Sequence, residues 1–255
     1  MRLRRASVIT AVLSVVISIT GGGSVPVANA AATTLGSSGS PALVSSLGSI
    51  TNTSGTTQDS LTLTLGSPVA QGDTVVVGIG AQGNVSVSSV SDSRGNTYHV
   101  DVVRTYTSSS TVKSTTALVT APVTTALQAG DAITVTLSVG NAWGFVAQDW
   151  SGITGLDQSG TMDSGGVAST AVSASTSGAT ATAPEVVFAL ATTNGWPSIT
   201  AGSGYTATAT LQASSGTVKR ELGLEYQVVP STGTQTGTFT LGSNGYWVAA
   251  VATYA

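Results

Sequence analysis

One short stretch of the sequence offers residues for proton transfer. Residues 91–100 read SDSRGNTYHV and contain the only histidine of the chain. If a strand follows the loop, His99 and Asp101 are neighbours on one face, where an aspartate can orient an imidazole as a catalytic base requires. No particular serine is marked as the nucleophile for such a base. Because residues 92–96 are consecutive turn formers between two β-patterned runs, we predict a hairpin loop here and not an active site.

Four aromatic residues have positions suited to binding sugar rings. Trp143, Trp196 and Tyr246 come directly after Asn-Ala or Asn-Gly pairs, and Trp247 follows Tyr246; each lies at a turn or at the start of a strand. If these turns share one end of the fold, the rings form an apolar platform for the C–H faces of sugars, with polar side chains around it. The alternative is that the rings cap the hydrophobic core at strand ends. Trp150 is predicted to be a core residue.

A β framework has to position these residues. Runs of alternating Val, Thr, Ile and aromatic residues are separated at short intervals by Gly, Asn, Asp and Pro, and no sustained helical period occurs beyond the first thirty residues. This pattern predicts an all-β fold, an antiparallel two-sheet β-sandwich of the jelly-roll type with about twelve strands. The predicted strands are 61–65, 74–80, 85–90, 97–104, 112–120, 132–138, 143–150, 185–192, 205–211, 219–229, 236–241 and 246–254.

The chain divides into three predicted parts. Residues 1–30 combine a basic start, a short apolar run and an Ala-Asn-Ala cleavage site, which is typical of a secretory signal peptide. Residues 31–58 are a Ser/Thr-rich and partly flexible lead-in that could supply one edge strand. Residues 59–255 form a single β-sandwich domain, within which the low-complexity segment 164–183 is expected to be a long connection carrying at most one weak strand. The mature protein is therefore expected to be secreted.

Composition and charge exclude several classes of function. Removal of the signal peptide leaves five basic residues against eleven acidic ones, a net charge of −6. Five scattered cations cannot form the basic surface that nucleic acids or anionic lipids require. No later apolar run is long enough to insert into a membrane. We predict no cofactor and no metal site, because the loop around Asp92 and Asn96 lacks the carboxylate density that calcium favours. The few ionisable groups are expected to lie apart from one another.

Two strands have similar beginnings. Residues 71–77 read QGDTVVV and residues 129–135 read AGDAITV, and in both the Gly-Asp pair is a turn that precedes the strand. Such a match is compatible with a duplicated topology, but two short segments do not establish a repeat.

Several longer segments resemble a loosely defined group of exported bacterial β-sandwich domains of mostly unassigned function. The segments are GDTVVVGIG, VSDSRGNTYHV, AGDAITVTL, QDWSGITGLD and YWVAAVATY. They resemble the D-x-x-G-N-x-Y and [ED]-[YW]-S-G-[IV] motifs of that group, and the similarity extends over most of the mature chain. The resemblance implies a β-sandwich and an extracellular location, and it implies no catalytic residue.

A second, local resemblance concerns two glutamates. ELGLEY at residues 221–226 is similar to the E-[IL]-D-[IL]-E-F strand of family 16 glycoside hydrolases, which are secreted jelly rolls with a retaining mechanism. The resemblance implies Glu221 as nucleophile and Glu225 as acid/base, whose carboxyl groups would have to come within about 5.5 Å of each other. Gly223 replaces the central aspartate of the motif. The alternative is an amphipathic strand with both glutamates facing solvent.

Three functions are compatible with these features. The first is a noncatalytic module that binds extracellular polysaccharide or cell-wall glycan through Trp143, Trp196, Tyr246 and Trp247. The second is a retaining glycoside hydrolase that uses Glu221 and Glu225. The third is a structural or adhesive surface protein without a defined ligand. The sequence does not indicate an oligomeric state.

Overall fold

The regular structure of this protein consists of β-strands. A computed structural model describes residues 39–52, 57–108 and 112–255, which contain sixteen strands and no helix. There is accordingly no helix in these ranges that could cross a membrane. The predicted signal peptide and the first residues of the lead-in lie outside the described residues.

All twelve predicted strands are confirmed, with ends that shift by a few residues. The four additional strands are β1 in the lead-in, β9, the short β12, and β10 in the low-complexity segment, where one weak strand was expected. The sixteen strands are β1 Ala42–Thr51, β2 Ser60–Thr64, β3 Thr74–Gln82, β4 Val87–Asp92, β5 His99–Thr107, β6 Lys113–Pro122, β7 Ala132–Leu137, β8 Trp143–Ser151, β9 Leu156–Asp163, β10 Ser169–Ser175, β11 Glu185–Asn194, β12 Ile199–Ala201, β13 Thr206–Ser215, β14 Val218–Val229, β15 Thr236–Gly245 and β16 Trp247–Tyr254.

The strands form four antiparallel sheets, two in each half of the chain. In the first half, β1-β8-β3-β6-β5 is a five-stranded sheet and β2-β7-β4 is a three-stranded sheet. In the second half, β9-β16-β11-β14-β13 and β10-β15-β12 have the same orders with every strand number raised by eight. Consecutive strands cross repeatedly between the two sheets of a half, as in a jelly roll. The protein therefore contains two eight-stranded sandwiches with one topology.

The two sandwiches pack through their five-stranded sheets, so the molecule has four sheet layers and three apolar cores. Val77 and Ile133 belong to the first sandwich core, between the sheets of the first half. Phe188 and Trp150 belong to a central core between the two five-stranded sheets. Phe239 belongs to the second sandwich core, between the sheets of the second half. Because both faces of each five-stranded sheet are covered, β3, β6, β8, β11 and β16 are buried almost continuously instead of alternating.

Backbone hydrogen bonds at the strand ends establish which residues correspond between the halves. The Gly83 amide donates to the Lys113 carbonyl over 3.0 Å, and the Gly195 amide donates to the Lys219 carbonyl over 2.9 Å. Both glycines have positive φ, +101° and +88°, which a side chain would strain. The same turn therefore follows β3 and β11.

A second pair of bonds gives the same correspondence. The Gln82 amide donates to the Ala142 carbonyl and the Asn194 amide to the Tyr246 carbonyl, both over 2.9 Å. Trp143 and Trp247, one residue further along, are then equivalent, and each lies in the core of its own sandwich. The Gly-Asp turns noted in the sequence both belong to the first half, before β3 and β7, and are therefore not copies related by this duplication.

Equivalent strand ends of the two halves lie on the same side of the molecule. The Arg220 guanidinium at the start of β14 donates to the Lys113 carbonyl at the start of β6 over 2.8 Å. At the opposite side, the Tyr254 hydroxyl at the end of β16 donates to Asp101 over 2.7 Å. We call the first side, with Trp143, Trp196, Tyr246 and Trp247, the aromatic end. We call the second side, with Asp73, Asp149 and Glu185, the acid end.

Candidate functional site

The four predicted aromatic residues share one end of the fold but differ in exposure. The Trp143 indole is fully buried and donates to the Gln58 carbonyl over 2.6 Å. The Trp247 indole is also buried and donates to the Ser169 hydroxyl over 2.9 Å. Neither presents a ring face to a ligand, and both cap a core, which was the alternative interpretation. Tyr246 is half-buried, and Trp196 is 39% exposed. Trp150 is buried, as predicted.

Trp196 is held rigidly although its ring is accessible. It follows the Gly195 turn at the end of β11, and its indole nitrogen donates to the Arg220 carbonyl on β14 over 3.1 Å. The Lys219 ammonium lies 4.3 Å from the centre of the ring, a cation–π contact. The hydrogen bond of its nitrogen restrains the exposed indole, so less side-chain entropy remains to be lost on binding.

Lys219 and Arg220, which Trp196 contacts, line a depression of about 330 Å³. Its wall consists of the ends of β11 and β14, with residues Asn194, Gly195, Thr217, Val218, Lys219 and Arg220. Asn194 is half-buried and Lys219 is exposed. The wall therefore carries an amide, a hydroxyl and an ammonium group, and two of its residues contact the exposed indole. Sugar-binding sites use this combination of polar groups and aromatic surface.

Arg220 is an unusual member of this wall. It is only 2% exposed, and its guanidinium donates to Asn194 Oδ1, the Lys219 carbonyl and the Lys113 carbonyl over 3.1, 2.6 and 2.8 Å. Its Nε has no hydrogen-bond partner. Burial lowers the pKa of Arg220 to about 10, so the group is still charged at neutral pH. A buried positive charge thus lies in the wall, bonded to neutral oxygens.

The equivalent positions of the first half carry neither the indole nor the guanidinium group. By the correspondence of the halves, Asn84 stands where Trp196 is, Ser114 where Arg220 is, and Ala142 where Tyr246 is. The turn glycine and the lysine that it bonds occur in both halves, as Gly83 with Lys113 and Gly195 with Lys219. The backbone framework therefore repeats, while an indole and a guanidinium group occupy these equivalent positions in the second half alone. Sequence patterns missed Arg220, because the repeat that makes it exceptional becomes visible only through strand pairing.

Glu221 and Glu225 point into the second sandwich core and not toward solvent. Glu221 accepts hydrogen bonds from the Ser198 amide over 3.1 Å and from Gln212 over 3.2 Å. Glu225 accepts from the backbone amides of Gly202 over 2.7 Å and Thr238 over 3.3 Å. The expectation that both face solvent as part of an amphipathic strand was wrong, because each carboxyl group serves amides left unpaired around the short strand β12.

Burial also affects the proton affinity of one of these glutamates. Glu225 is fully buried, and this raises its pKa to about 7 although two backbone amides oppose the shift. Neither glutamate lines one of the three described cavities. Both carboxyl groups thus have intramolecular partners and are almost fully buried.

The SDSRGNTYHV segment is not a hairpin. β4 pairs with β7 in the three-stranded sheet, whereas β5 pairs with β6 in the five-stranded sheet, so the loop connects two sheets. Asp92 accepts from the amides of Arg94 and Asn96 over 2.8 and 3.2 Å, and from the Tyr98 hydroxyl over 3.2 Å. These local side-chain bonds make the turn, and sequence could not distinguish such a corner from a hairpin.

His99 and Asp101 do not form a catalytic pair. His99 is exposed, while Asp101 accepts from the hydroxyls of Thr120 and Tyr254, each over 2.7 Å. A register shift between Val100 and Val102 interrupts the alternation that would place the two side chains side by side. Asp101 thus joins the two halves at the acid end.

Removal of the Asn96 side chain is expected to lower the free energy of unfolding by about 1–3 kcal/mol. Its Oδ1 accepts from the amides of Thr124 and Thr125, each over 2.9 Å, and both amides would lose their acceptor. Urea denaturation of Asn96→Ala measures the loss. Asn84→Ala is the control, because within the described residues that side chain bonds a single exposed threonine hydroxyl, and its loss should cost little. Equal stabilities of the two variants would contradict this role.

The acid end brings carboxyl groups together, contrary to the expectation that ionisable groups lie apart. Asp149 is buried near Asp73, and burial, reinforced by the charge of Asp73, raises the pKa of Asp149 to about 7. Asp73 also lines a cavity of about 360 Å³ that reaches Tyr254. Burial likewise raises the pKa of Glu185. These residues come from strands that are distant in the sequence, so no sequence spacing predicts that their carboxyl groups lie close together.

No metal centre is evident in the part of the chain that the structure describes, where no three metal-ligating side chains form a group. Comparison with known proteins adds no assignment. The chain matches no protein-family model, no curated protein and no solved structure. It is an all-β protein of antiparallel sheets, and its site has to be interpreted from its own geometry.

Proposed function

We propose that this protein is a noncatalytic module that binds an extracellular polysaccharide or cell-wall glycan at the aromatic end. The observation that carries the proposal is the exposed Trp196 indole, which contacts Lys219 and Arg220, two residues in the wall of a depression of about 330 Å³. The Tyr246 carbonyl accepts a hydrogen bond from the amide of Asn194, a residue of the same wall. The predicted signal peptide supports an extracellular location for the bound glycan.

Physical chemistry supports a sugar as ligand. A tryptophan ring offers a flat apolar face to the C–H groups of a pyranose, and burial of that face is favourable. The surrounding amide and hydroxyl groups can exchange hydrogen bonds with sugar hydroxyls as they do with water. With one exposed ring and a small depression, we expect weak binding, with a Kd on the order of 0.1–1 mM.

The other two functions have less support. Glycoside hydrolysis by Glu221 and Glu225 requires access to substrate, but both carboxyl groups are buried and accept hydrogen bonds from protein groups. A structural or adhesive role without a ligand would leave the exposed, rigid Trp196 unexplained. Release of reducing sugars from a bound polysaccharide, lost in Glu225→Gln, would favour the hydrolase.

We expect Trp196→Ala to abolish binding of a polysaccharide that retards the native protein in affinity electrophoresis. The variant removes the exposed ring but no core contact, so its thermal unfolding should stay close to that of the native protein. Leu156→Ala is the matched control, since Leu156 is also an exposed apolar residue and lies at the acid end. Its mobility should be retarded as strongly as that of the native protein.

Fluorescence gives an independent measurement of the same site. The other three tryptophans are buried, so iodide quenching of the native protein should report mainly on Trp196. A bound glycan should reduce that quenching, and the reduction should be absent in Trp196→Ala. Undiminished retardation of Trp196→Ala would refute the site.

A further inference from the structure

We propose that the glycan bound at the aromatic end is acidic, and that Lys219 and Arg220 recognise the carboxylate of a uronic-acid residue. This inference rests on the proposed function, since it names the class of sugar that the same site takes. Four features carry it: the distribution of cations, the lack of an anionic partner for Arg220, the position of Lys219, and the difference between the two halves.

The cations of the protein are distributed unevenly. Five basic residues follow the signal peptide, and two of them, Arg94 and Arg104, form ion pairs with Asp131 and Asp163. The other three are Lys113, Lys219 and Arg220, which lie together at the aromatic end and form no ion pair within the described residues. In a chain whose acidic residues outnumber its basic ones, this end therefore holds all of the unpaired cations, where an anion is attracted.

Arg220 is the member that most requires an anion. A buried charge is costly unless an opposite charge or strong hydrogen bonds compensate it. Its acceptors are two backbone carbonyls and one amide oxygen, all neutral, and its Nε remains unpartnered. The nearest carboxylate along the strand, Glu221, accepts from Ser198 and Gln212 in the second sandwich core. A carboxylate in the depression would supply the missing negative charge.

The position of Lys219 explains why a neutral sugar is a poorer ligand. Its ammonium lies 4.3 Å from the centre of the Trp196 ring, so a pyranose that stacks on this face has to displace it. A neutral sugar gives nothing in return for the lost cation–π contact. A uronic acid carries its carboxylate directly on the sugar ring. The displaced Lys219 ammonium can then pair with that carboxylate while the sugar ring stacks on the indole.

The two halves of the chain supply an internal comparison. Lys113 occupies the position of Lys219 in the first half, but its neighbours there are Asn84 and Ser114 instead of an indole and a guanidinium. A lysine at this position therefore belongs to the shared framework. What distinguishes the second half is the combination of that lysine with Trp196 and Arg220, the groups that an acidic pyranose needs.

The test compares two oligosaccharides that differ only in the acid group. Calorimetric titration of the full-length protein with a galacturonic-acid trimer and a neutral galactose trimer of the same linkage should show at least tenfold tighter binding of the acid. Lys219→Gln should weaken binding of the acidic trimer about tenfold, whereas binding of the neutral trimer should be unchanged or tighter, because no ammonium then has to leave the indole. Lys113→Gln, the matched control, should change neither affinity by more than about twofold. Affinity for the acidic trimer should fall as salt is added.

Arg220 needs a conservative variant because its truncation would leave buried acceptors without a donor. Arg220→Lys keeps the charge but loses the planar set of donors, and should weaken binding of the acidic trimer while binding of the neutral trimer is retained. Thermal unfolding shows whether the variant is folded. If it is not, Lys219→Gln decides the question, because Lys219 is exposed and its replacement leaves the fold intact.

The possible outcomes separate this inference from the function on which it rests. Equal affinity for both trimers, lost in Trp196→Ala, would overturn the acidic ligand and keep glycan binding. If the protein binds neither trimer, the inference that the ligand is a uronic acid is wrong. Inorganic phosphate that displaces the acidic trimer far more strongly than acetate does would also overturn it, since the site would then prefer phosphate-bearing polymers.

Discussion

Trp150→Ala is expected to lower the free energy of unfolding by about 3–5 kcal/mol, the loss typical of a buried aromatic side chain. The indole is fully buried in the central core, where its ring centre lies 4.9 Å from that of Phe188 and 4.8 Å from that of Tyr226. Both contacts cross from the first half to the second. The variant opens a cavity between the halves and leaves Gln148 Oε1 without its donor.

Urea denaturation, followed by tryptophan fluorescence and by circular dichroism, measures this effect. A single transition at lower urea, with both probes coincident, is expected because the halves share the central core and unfold together. Val139→Ala, which truncates an exposed side chain, should shift the midpoint by less than about 0.5 kcal/mol in free energy. Two separated transitions would mean that each sandwich is stable alone and that Trp150 joins them only weakly.

The second large effect concerns pH. We expect the protein to be most stable near pH 4 and to lose stability as the pH rises toward 7. Burial raises the pKa of Asp149 and of Glu225 to about 7, and it also raises the pKa of Glu185. Each folded-state pKa lies above the unfolded value near 4, so the folded protein binds more protons between the two values.

The sign and size of this dependence follow from proton linkage. The favourable contribution of these protonated groups is complete below pH 4, declines between pH 4 and 7, and is absent above pH 7. One pKa unit corresponds to about 1.4 kcal/mol, so Asp149 alone contributes on the order of 4 kcal/mol. Three carboxylates have a lowered pKa: Asp131, Asp157 and Asp163. All are partly exposed, and Asp131 and Asp163 are ion-pair members, so they oppose this trend only weakly.

Thermal unfolding at pH 4.5 and pH 8 checks this prediction, with a melting temperature expected to be roughly 5–10 °C higher in acid. Asp149→Asn, which mimics the protonated acid, should raise the melting temperature at pH 8 and flatten the profile. Asp131→Asn is the control and should leave the slope between pH 5 and 8 unchanged, because the lowered pKa of Asp131 keeps it ionised there. If the melting temperature of the native protein rises from pH 4 to pH 7, the proposed protonation states are wrong.

Some features of the aromatic end could be predicted from the sequence and others could not. The asparagine-containing turns placed Trp143, Trp196 and Tyr246 at strand ends, and these turns do share one end of the molecule. The sequence did not predict which of these rings is exposed to solvent. Trp143 and Trp196 follow similar dipeptides, yet Trp143 is buried and Trp196 is exposed. The difference comes from the layer that covers each residue, which depends on strands far away in the chain.

The sequence by itself determined that this protein is an all-β fold and where twelve of its strands lie, because side-chain alternation and turn residues are local properties of the chain. Only the tertiary structure decided that two copies of one sandwich are stacked, that Asp73 meets Asp149, and that Arg220 lies buried beside an exposed indole. These features depend on pairing between residues distant in sequence, and β-sheet topology is established by such long-range contacts, which local periodicity does not encode.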